Sequence, residues 1–275
     1  MPELPEVETT CRGISPYLQH NYVVAITVRQ PRLRWPIPEQ LIQIVGQTIE
    51  AIERRAKYIL IRTSSGTLII HLGMSGSLRI CNTDTAVRKH DHVDFVLANS
   101  KVLRFHDPRR FGAVLWTTEA PVQHPLLSKL GVEPLEADFT GEYLWCKAQG
   151  KKVSIKAFIM DAHIVVGVGN IYANESLFLA GIHPQTPTNK VSTAGYERLS
   201  TYIKQVLSYA IDQGGTTLRD FVREDGNTGY FQLALNVYGR KDQPCVRCQT
   251  LIMQIKQGQR SSWYCPSCQT LSTNT

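Results

Sequence analysis

The sequence predicts an α+β protein with an N-terminal antiparallel β-sandwich led by a helix, a helical domain and a C-terminal hairpin that carries cysteines. Three observations predict this. Short runs of β-branched and aromatic residues fill the first 120 residues, helical spacing of apolar residues follows, and two Cys-x2-Cys pairs lie near the end. A chain of 275 residues is long enough for two domains with separate cores. We place the β-sandwich at 1–130, a connector at 131–150, the helical domain at 151–235 and the cysteine hairpin at 236–270.

The first part opens with a predicted helix over residues 5–19, in which Gly13 and Pro16 predict a break. Seven strand-like runs follow, separated by turn residues such as Ser64-Ser65-Gly66. Several short strands at this spacing favour an antiparallel sandwich. The predicted strands are 23–28, 48–53, 58–63, 67–72, 92–97, 102–106 and 113–117.

The pattern changes after about residue 120. A connector at 138–150 precedes three segments with helical spacing, at 153–160, 170–180 and 193–213. In the third segment Leu199, Ile203 and Leu207 repeat every four residues. Gly214 and Gly215 follow, as is typical of a helix C-terminus.

Four of the seven cysteines form the pairs Cys245-x2-Cys248 and Cys265-x2-Cys268, separated by 16 residues. This spacing is typical of a zinc site in which two turns each present two thiolates to one ion. We therefore predict one structural Zn²⁺ bound by these four residues. A redox dithiol or a chance pairing is the alternative interpretation.

The charge of the chain is moderately basic, with 30 basic and 23 acidic residues and a net charge of +7. Residues 236–275 contain five basic residues and one acidic residue. Such a segment suits a polyanion such as nucleic acid, although on charge alone an ordinary soluble surface fits equally well.

No apolar run approaches the roughly 20 residues of a membrane span, and the acidic N-terminus does not have the pattern of a signal peptide. We expect a soluble, cytosolic monomer with no membrane partner.

Several longer motifs occur together along the chain. They are Pro2-Glu3-Leu4-Pro5-Glu6-Val7-Glu8, Arg55-Ala56-Lys57-Tyr58, His71-Leu72-Gly73-Met74-Ser75-Gly76, Asp107-Pro108-Arg109-Arg110-Phe111-Gly112, Gly167-Val168-Gly169-Asn170-Ile171-Tyr172 and the four-cysteine tail. From residue 2 to about 269 the chain resembles the bacterial formamidopyrimidine-DNA glycosylases, base-excision enzymes that remove 8-oxoguanine and ring-opened purines. The resemblance implies a β-sandwich, a helix–two-turns–helix domain and a zinc finger. It also implies a partner, double-stranded DNA that contains oxidised purines or abasic sites.

The resemblance implies four catalytic residues. Pro2, once the initiator methionine is removed, would attack C1′ of the damaged nucleoside as a secondary amine, and its cationic Schiff base would promote β- and δ-elimination. Glu3 would act as general acid and base, and Lys57 as a second amine near the sugar. Arg260 would bind the lesion phosphate. Glu6, in the first helical turn, fits helix capping and a positioning role equally well.

A base inside a duplex must be flipped out before an enzyme can excise it. The resemblance assigns the filling of the resulting gap to Met74, Arg109 and Phe111, with Phe111 as the apolar wedge. Alone, Met74 would be interpreted as a core residue. Residues 214–219 would cover the flipped base, and Arg219 stands where some relatives have lysine. The residues that would grip phosphates, and so position DNA without reading its sequence, are His90, Lys151, Asn170 and Tyr238.

Two other functions stay open. Endonuclease VIII, the sister activity on oxidised pyrimidines, shares the Pro2-Glu3 start, Lys57 and the zinc finger. Leu4-Pro5 and the complete gap-filling set favour the purine enzyme. A non-catalytic DNA-binding protein with the same fold is the other possibility, and the intact catalytic set argues against it.

Overall fold

The computed structural model describes residues 2–214 and 234–271. They form two compact units: residues 2–129 make up most of the first, and residues 130–213 with 234–271 make up the second. Apart from Gly214, the predicted base-covering loop with Arg219 lies outside the described residues. No helix within the described ranges is long and apolar enough to cross a membrane.

Residues 2–129 contain one α-helix and eight strands. Their bounds are α1 Leu4–Leu18, β1 Val23–Val28, β2 Ile49–Arg55, β3 Tyr58–Thr63, β4 Gly66–His71, β5 Ser77–Asn82, β6 Asp91–Leu97, β7 Lys101–His106 and β8 Ala113–Thr117. One antiparallel sheet has the strand order β1-β6-β7-β5 and the other β2-β3-β4-β8. A single apolar core takes side chains from both sheets and from α1, such as Ile59, Phe95 and Ile14. The predicted β-sandwich with a leading helix is confirmed.

Helix α1 is continuous, so the predicted break near Gly13 and Pro16 is wrong. Pro16 lies inside the last turn of the helix. Val7, Cys11 and Ile14 follow helical spacing and are all buried in the sandwich core. This packing holds the helix together although Pro16 cannot donate a backbone hydrogen bond.

The strand-like runs did not predict β5. Arg79 at its centre gives the segment a polar appearance, yet this side chain is only 6% exposed. Its guanidinium pairs with Asp91 of β6, and Arg104 of β7 binds Asp94 through Nε at 2.8 Å. These four charged residues are therefore buried as ion pairs rather than exposed to solvent.

The second unit contains the predicted helices and a terminal hairpin. The bounds are α2 Gly141–Ala148, α3 Ile155–Ile159, α4 Asn170–Ala180, α5 Thr193–Asp212, β9 Met253–Gln257 and β10 Arg260–Tyr264. Helix α2 lies within the segment predicted as a connector. The Thr140 side chain caps it, and the backbone N–H of Gly141 donates to Glu197 Oε2 of α5 at 3.1 Å. A Cβ at Gly141 would lie 2.5 Å from the Glu197 Cα, so this close approach requires glycine.

The C-terminal module is the antiparallel hairpin β9–β10 with the segments around it. Its small core joins Val237, Ile252 and two of the cysteines to Phe178 of α4. The module therefore shares its core with the helical part of the same unit. The predicted C-terminal hairpin is confirmed.

Candidate functional site

The N-terminus of α1 presents the proposed nucleophile. Pro2 precedes Glu3, which is the N-cap of the helix and is only 3% exposed. The backbone N–H of Glu3 donates to Glu6 Oε2 at 2.8 Å, as half of a capping box between these residues. Leu4 and Val7 anchor this end of the helix in the core. Glu6 thus caps the helix and fixes the backbone next to Pro2.

Lys57 lies in the two-residue turn between β2 and β3. Ala56, the other turn residue, is buried and has a φ of 55°. The turn is connected to α1, because Arg54 Nε binds Glu8 Oε2 at 3.0 Å and the Arg54 guanidinium donates to the Ala56 carbonyl at 3.0 Å. The elements that carry Pro2 and Lys57 are therefore held together by an ion pair, which the sequence motifs did not reveal.

The register of the sheets brings the Met74 turn and the Arg109–Phe111 turn together. His71 at the end of β4 pairs with Ala113 of β8, and Ser77 at the start of β5 pairs with His106 of β7. The residues between these pairs form two adjacent turns, 72–76 and 107–112. A Cβ at Gly73 would lie 2.5 Å from the Phe111 carbonyl carbon, so the two backbones are in contact.

The three predicted gap-filling side chains lie on these two turns. Met74 is 43% exposed and Phe111 is 45% exposed. Large apolar side chains this exposed are not core residues, which supports the gap-filling interpretation of Met74 over the core interpretation. The Arg109 guanidinium carbon lies 4.9 Å from the centre of the Phe111 ring. The two turns thus present an apolar surface with a cation beside it.

His90 stands directly before β6 with a φ of 75°. The next residue, Asp91, is buried and accepts hydrogen bonds from the Arg88 backbone N–H and His106 Nδ1, both at 2.8 Å. Burial alone would raise the pKa of Asp91. The Arg88 and His106 hydrogen bonds and the Arg79 guanidinium outweigh burial and hold the pKa below its usual range. A charged carboxylate therefore fixes the backbone beside His90.

In the second unit, the start of α4 and the start of β10 meet. Asn170 Nδ2 donates to the carbonyl of Ser261 at 3.2 Å, next to Arg260. The buried Lys156 ammonium donates to the same carbonyl at 2.8 Å and to Ser262 Oγ at 2.7 Å. The structure thus places Asn170 beside the backbone that carries Arg260, and it adds Lys156, which the motifs did not indicate.

Tyr238 packs its ring against Trp263 of β10, with 4.4 Å between the ring centres. The segment before it is held by Glu175 of α4, a residue that the sequence analysis missed. The Glu175 carboxylate accepts the backbone N–H groups of Val237 and Tyr238, each at 2.9 Å. Lys151, the remaining predicted phosphate contact, follows Gly150 and is exposed.

The four cysteines of the two Cys-x2-Cys pairs form one cluster. Their Sγ atoms all lie within 4.8 Å of one another, with 3.9 Å between Cys245 and Cys268 and 3.4 Å between Cys248 and Cys265. Four sulfurs at about 2.3 Å from a tetrahedral zinc ion would be roughly 3.8 Å apart. Backbone N–H groups of Arg247 and Cys268 donate to cluster sulfurs. The donor set and its size fit one structural zinc ion, as predicted.

Proteins of known family are similar to this chain over nearly its full length. The formamidopyrimidine-DNA glycosylase of Shewanella halifaxensis is 57% identical over 271 residues, 98% of this chain and 100% of that protein. The formamidopyrimidine-DNA glycosylase of Alcanivorax borkumensis is 55% identical over 269 residues, again 98% of this chain and 100% of that protein. The chain belongs to the formamidopyrimidine-DNA glycosylase family. Membership in this family makes the chain a DNA-repair glycosylase.

Family models and solved structures agree with this assignment. The N-terminal domain of formamidopyrimidine-DNA glycosylase matches residues 1–114, the H2TH domain matches 130–222, and a zinc finger found in FPG and IleRS matches 242–271. A Lactococcus lactis Fpg solved with abasic-site DNA has a TM-score of 0.89 at 34% identity, covering 98% of this chain and 99% of that one. MutM (Fpg) of Thermus thermophilus has a TM-score of 0.87 at 32% identity, covering 98% and 100%. The predicted helix–two-turns–helix domain and zinc finger of this glycosylase family are thereby confirmed.

Proposed function

We propose that this chain excises oxidised purines, 8-oxoguanine and formamidopyrimidines, from double-stranded DNA and then cleaves the abasic site by β- and δ-elimination. The observation that carries the proposal is Pro2 directly before the buried Glu3 at the N-terminus of α1. The likeness to Lactococcus lactis Fpg structures with abasic-site DNA and with Fapy-dG DNA supports the proposed kinds of DNA substrate.

The chemistry begins when removal of Met1 turns the Pro2 nitrogen into a secondary amine. This nitrogen forms a bond to C1′, the bond from C1′ to the base breaks, and the base leaves with a proton. Glu3 protonates the ring oxygen O4′ as the sugar opens, which leaves a cationic iminium at C1′. Loss of the C2′ proton supplies the electron pair that expels the 3′ phosphate. A second elimination expels the 5′ phosphate, and hydrolysis of the Schiff base restores Pro2.

The other predicted residues hold the DNA in place for this reaction. Met74 and Phe111 fill the gap that the flipped base leaves, and Arg109 pairs with the orphaned base. Lys57 acts near the sugar and Arg260 at the lesion phosphate, where cations stabilise the departing phosphates. The residues that grip further phosphates are His90, Lys151, Asn170 and Tyr238.

Sodium borohydride trapping tests the proposal. An 8-oxoguanine:cytosine duplex incubated with the processed protein and borohydride should give a stable protein–DNA adduct, because the reagent reduces the iminium. Protein that retains Met1 is the matched control, since its Pro2 nitrogen is an amide and cannot attack. Equal trapping by both proteins would exclude Pro2 as the nucleophile. A duplex with an oxidised pyrimidine, processed faster than the 8-oxoguanine duplex, would instead favour the endonuclease VIII activity.

A further inference from the structure

Asp107 lies where the two turns of the proposed gap-filling surface meet. Its side chain is fully buried, with 0% exposure. One carboxylate oxygen accepts the Ser75 hydroxyl at 2.8 Å, and the other accepts the backbone N–H of Gly112 at 2.8 Å. Ser75 directly follows Met74, and Gly112 directly follows Phe111. One carboxylate therefore binds both turns.

The backbone N–H of Arg109 completes the junction, because it lies 3.3 Å from Asp107 Oδ1 and 3.3 Å from Ser75 Oγ. The backbone N–H of Asp107 donates to the His90 carbonyl at 3.0 Å. A single residue thus contacts segments that carry all three proposed gap-filling residues and one proposed phosphate contact.

We propose that Asp107 is a positioning residue that holds the Met74 turn and the Phe111 turn as one preformed unit for insertion into DNA. This inference rests on the proposed function, because it concerns how the gap-filling side chains are aimed. A carboxylate suits the position, since both of its oxygens accept hydrogen bonds and every neighbouring group donates. An amide offers only one accepting oxygen and would place an NH2 against a donor.

The physical consequence is that Met74 and Phe111 act together rather than independently. If Asp107 no longer links the two turns, Met74 and Phe111 are still present but no longer have a fixed position relative to each other. Hydrogen bonds to a charged group are among the stronger ones in proteins, so loss of the Ser75 bond should slow base flipping about tenfold. The reaction at a preformed abasic site, where no base remains to be displaced, should change by less than twofold.

A double-mutant cycle tests the proposal with Ser75→Ala and Phe111→Ala. Single-turnover excision of 8-oxoguanine is measured for the wild type, each single variant and the double variant, with cleavage of an abasic duplex as the second readout. Ser75→Ala should slow excision about tenfold alone but less than threefold in the Phe111→Ala background. Ser64→Ala, which removes a hydroxyl that donates to Gln47 away from the two gap-filling turns, is the matched control.

Asp107→Asn provides a second variant with the same shape and should reproduce the selective loss of excision. If this variant does not fold, the Ser75 cycle alone decides. Additive effects across the cycle, or equal slowing on intact and abasic duplexes, would overturn the proposal. Absence of excision by the wild-type protein, in contrast, would refute the proposed function itself.

Discussion

The pH dependence of stability should reveal His71, a largely buried ring beside the gap-filling turns. Burial, together with the charges of Arg34 and Lys57, lowers its pKa to about 4, and Asp107 opposes this only in part. Its Nδ1 accepts the backbone N–H of Gly73 at 3.0 Å, which requires that nitrogen to be unprotonated. Folding therefore favours the neutral ring.

The sign and size of the effect follow by linkage. Above pH 6.5 the ring is neutral in both states and the stability is fully present. As pH falls from about 6.5 to 4, only the unfolded chain takes up the proton, so stability is lost. Between pH 8 and pH 5 the loss from this one residue should be about 2 kcal/mol.

The measurement is urea denaturation of the wild type and His71→Asn at pH 8 and pH 5. Asparagine keeps an acceptor for the Gly73 N–H but does not titrate, so the variant should lose about 2 kcal/mol less than the wild type over this interval. All other titrating groups are shared and cancel in the comparison. An identical pH dependence of the two proteins, or an NMR titration of the His71 ring near pH 6.5, would refute the reasoning.

Three further predictions follow from the described contacts. Cys248→Ser should lose zinc and weaken DNA binding, because the C-terminal segment from residue 236 is too short to fold without the metal. Metal content and duplex binding over a salt series measure this, with substitution of the exposed Cys146 by serine as the control. Glu175→Gln should lower the free energy of unfolding by about 2 kcal/mol in denaturant melts. The buried Glu175 carboxylate accepts four hydrogen bonds, and the amide that replaces it can accept only part of them. Gly73→Ala should lower the free energy of unfolding by well over the roughly 1–2 kcal/mol of a positive φ, because the new Cβ would clash with the Phe111 backbone. Gly46→Ala has a φ of +80° and open space around the new Cβ, so it should lower the free energy of unfolding by that backbone strain alone.

Retention of zinc by Cys248→Ser, or unchanged DNA affinity and salt dependence without it, would contradict the first of these predictions. Equal stability of Glu175→Gln and the exposed variant Glu142→Gln would contradict the second. Equal destabilisation by the two glycine substitutions would contradict the third.

The elements that the sequence predicted well are those with a local signal. Runs of β-branched and aromatic residues mark the sandwich strands, and the spacing of Cys245, Cys248, Cys265 and Cys268 predicts their cluster, because each pair is brought together by its own turn. In these cases short segments of sequence determine the geometry. The two gap-filling turns instead come together through pairing of distant strands, because His71 of β4 pairs with Ala113 of β8.

Residues whose partners are far away in the chain could not be identified from the sequence. Arg79 makes β5 look polar until its pairing with Asp91 is seen, and Glu175 binds residues 61 to 63 positions later. The expected break in α1 is wrong for a related reason, because burial of the helix against the sandwich is a tertiary effect. Charged residues usually face solvent, and sequence periodicity predicts burial correctly only where they do; a charge with a buried partner is an exception.

Four charged residues share one arrangement, in which a buried or nearly buried charged side chain holds a turn or segment that carries a predicted DNA contact. The pairs of holding residue and contact are Arg54 with Lys57, Asp91 with His90, Asp107 with Phe111, and Glu175 with Tyr238. Replacing such a group by one that cannot make its bonds leaves buried partners unsatisfied, which costs about 3–5 kcal/mol for a buried ion pair. The holding residues fix the predicted contacts in position in the free protein, so fewer side chains and loops have to be ordered when DNA binds. Substitutions at these four holding residues should therefore affect stability and DNA processing together, whereas substitution of the exposed Phe111 should affect processing alone.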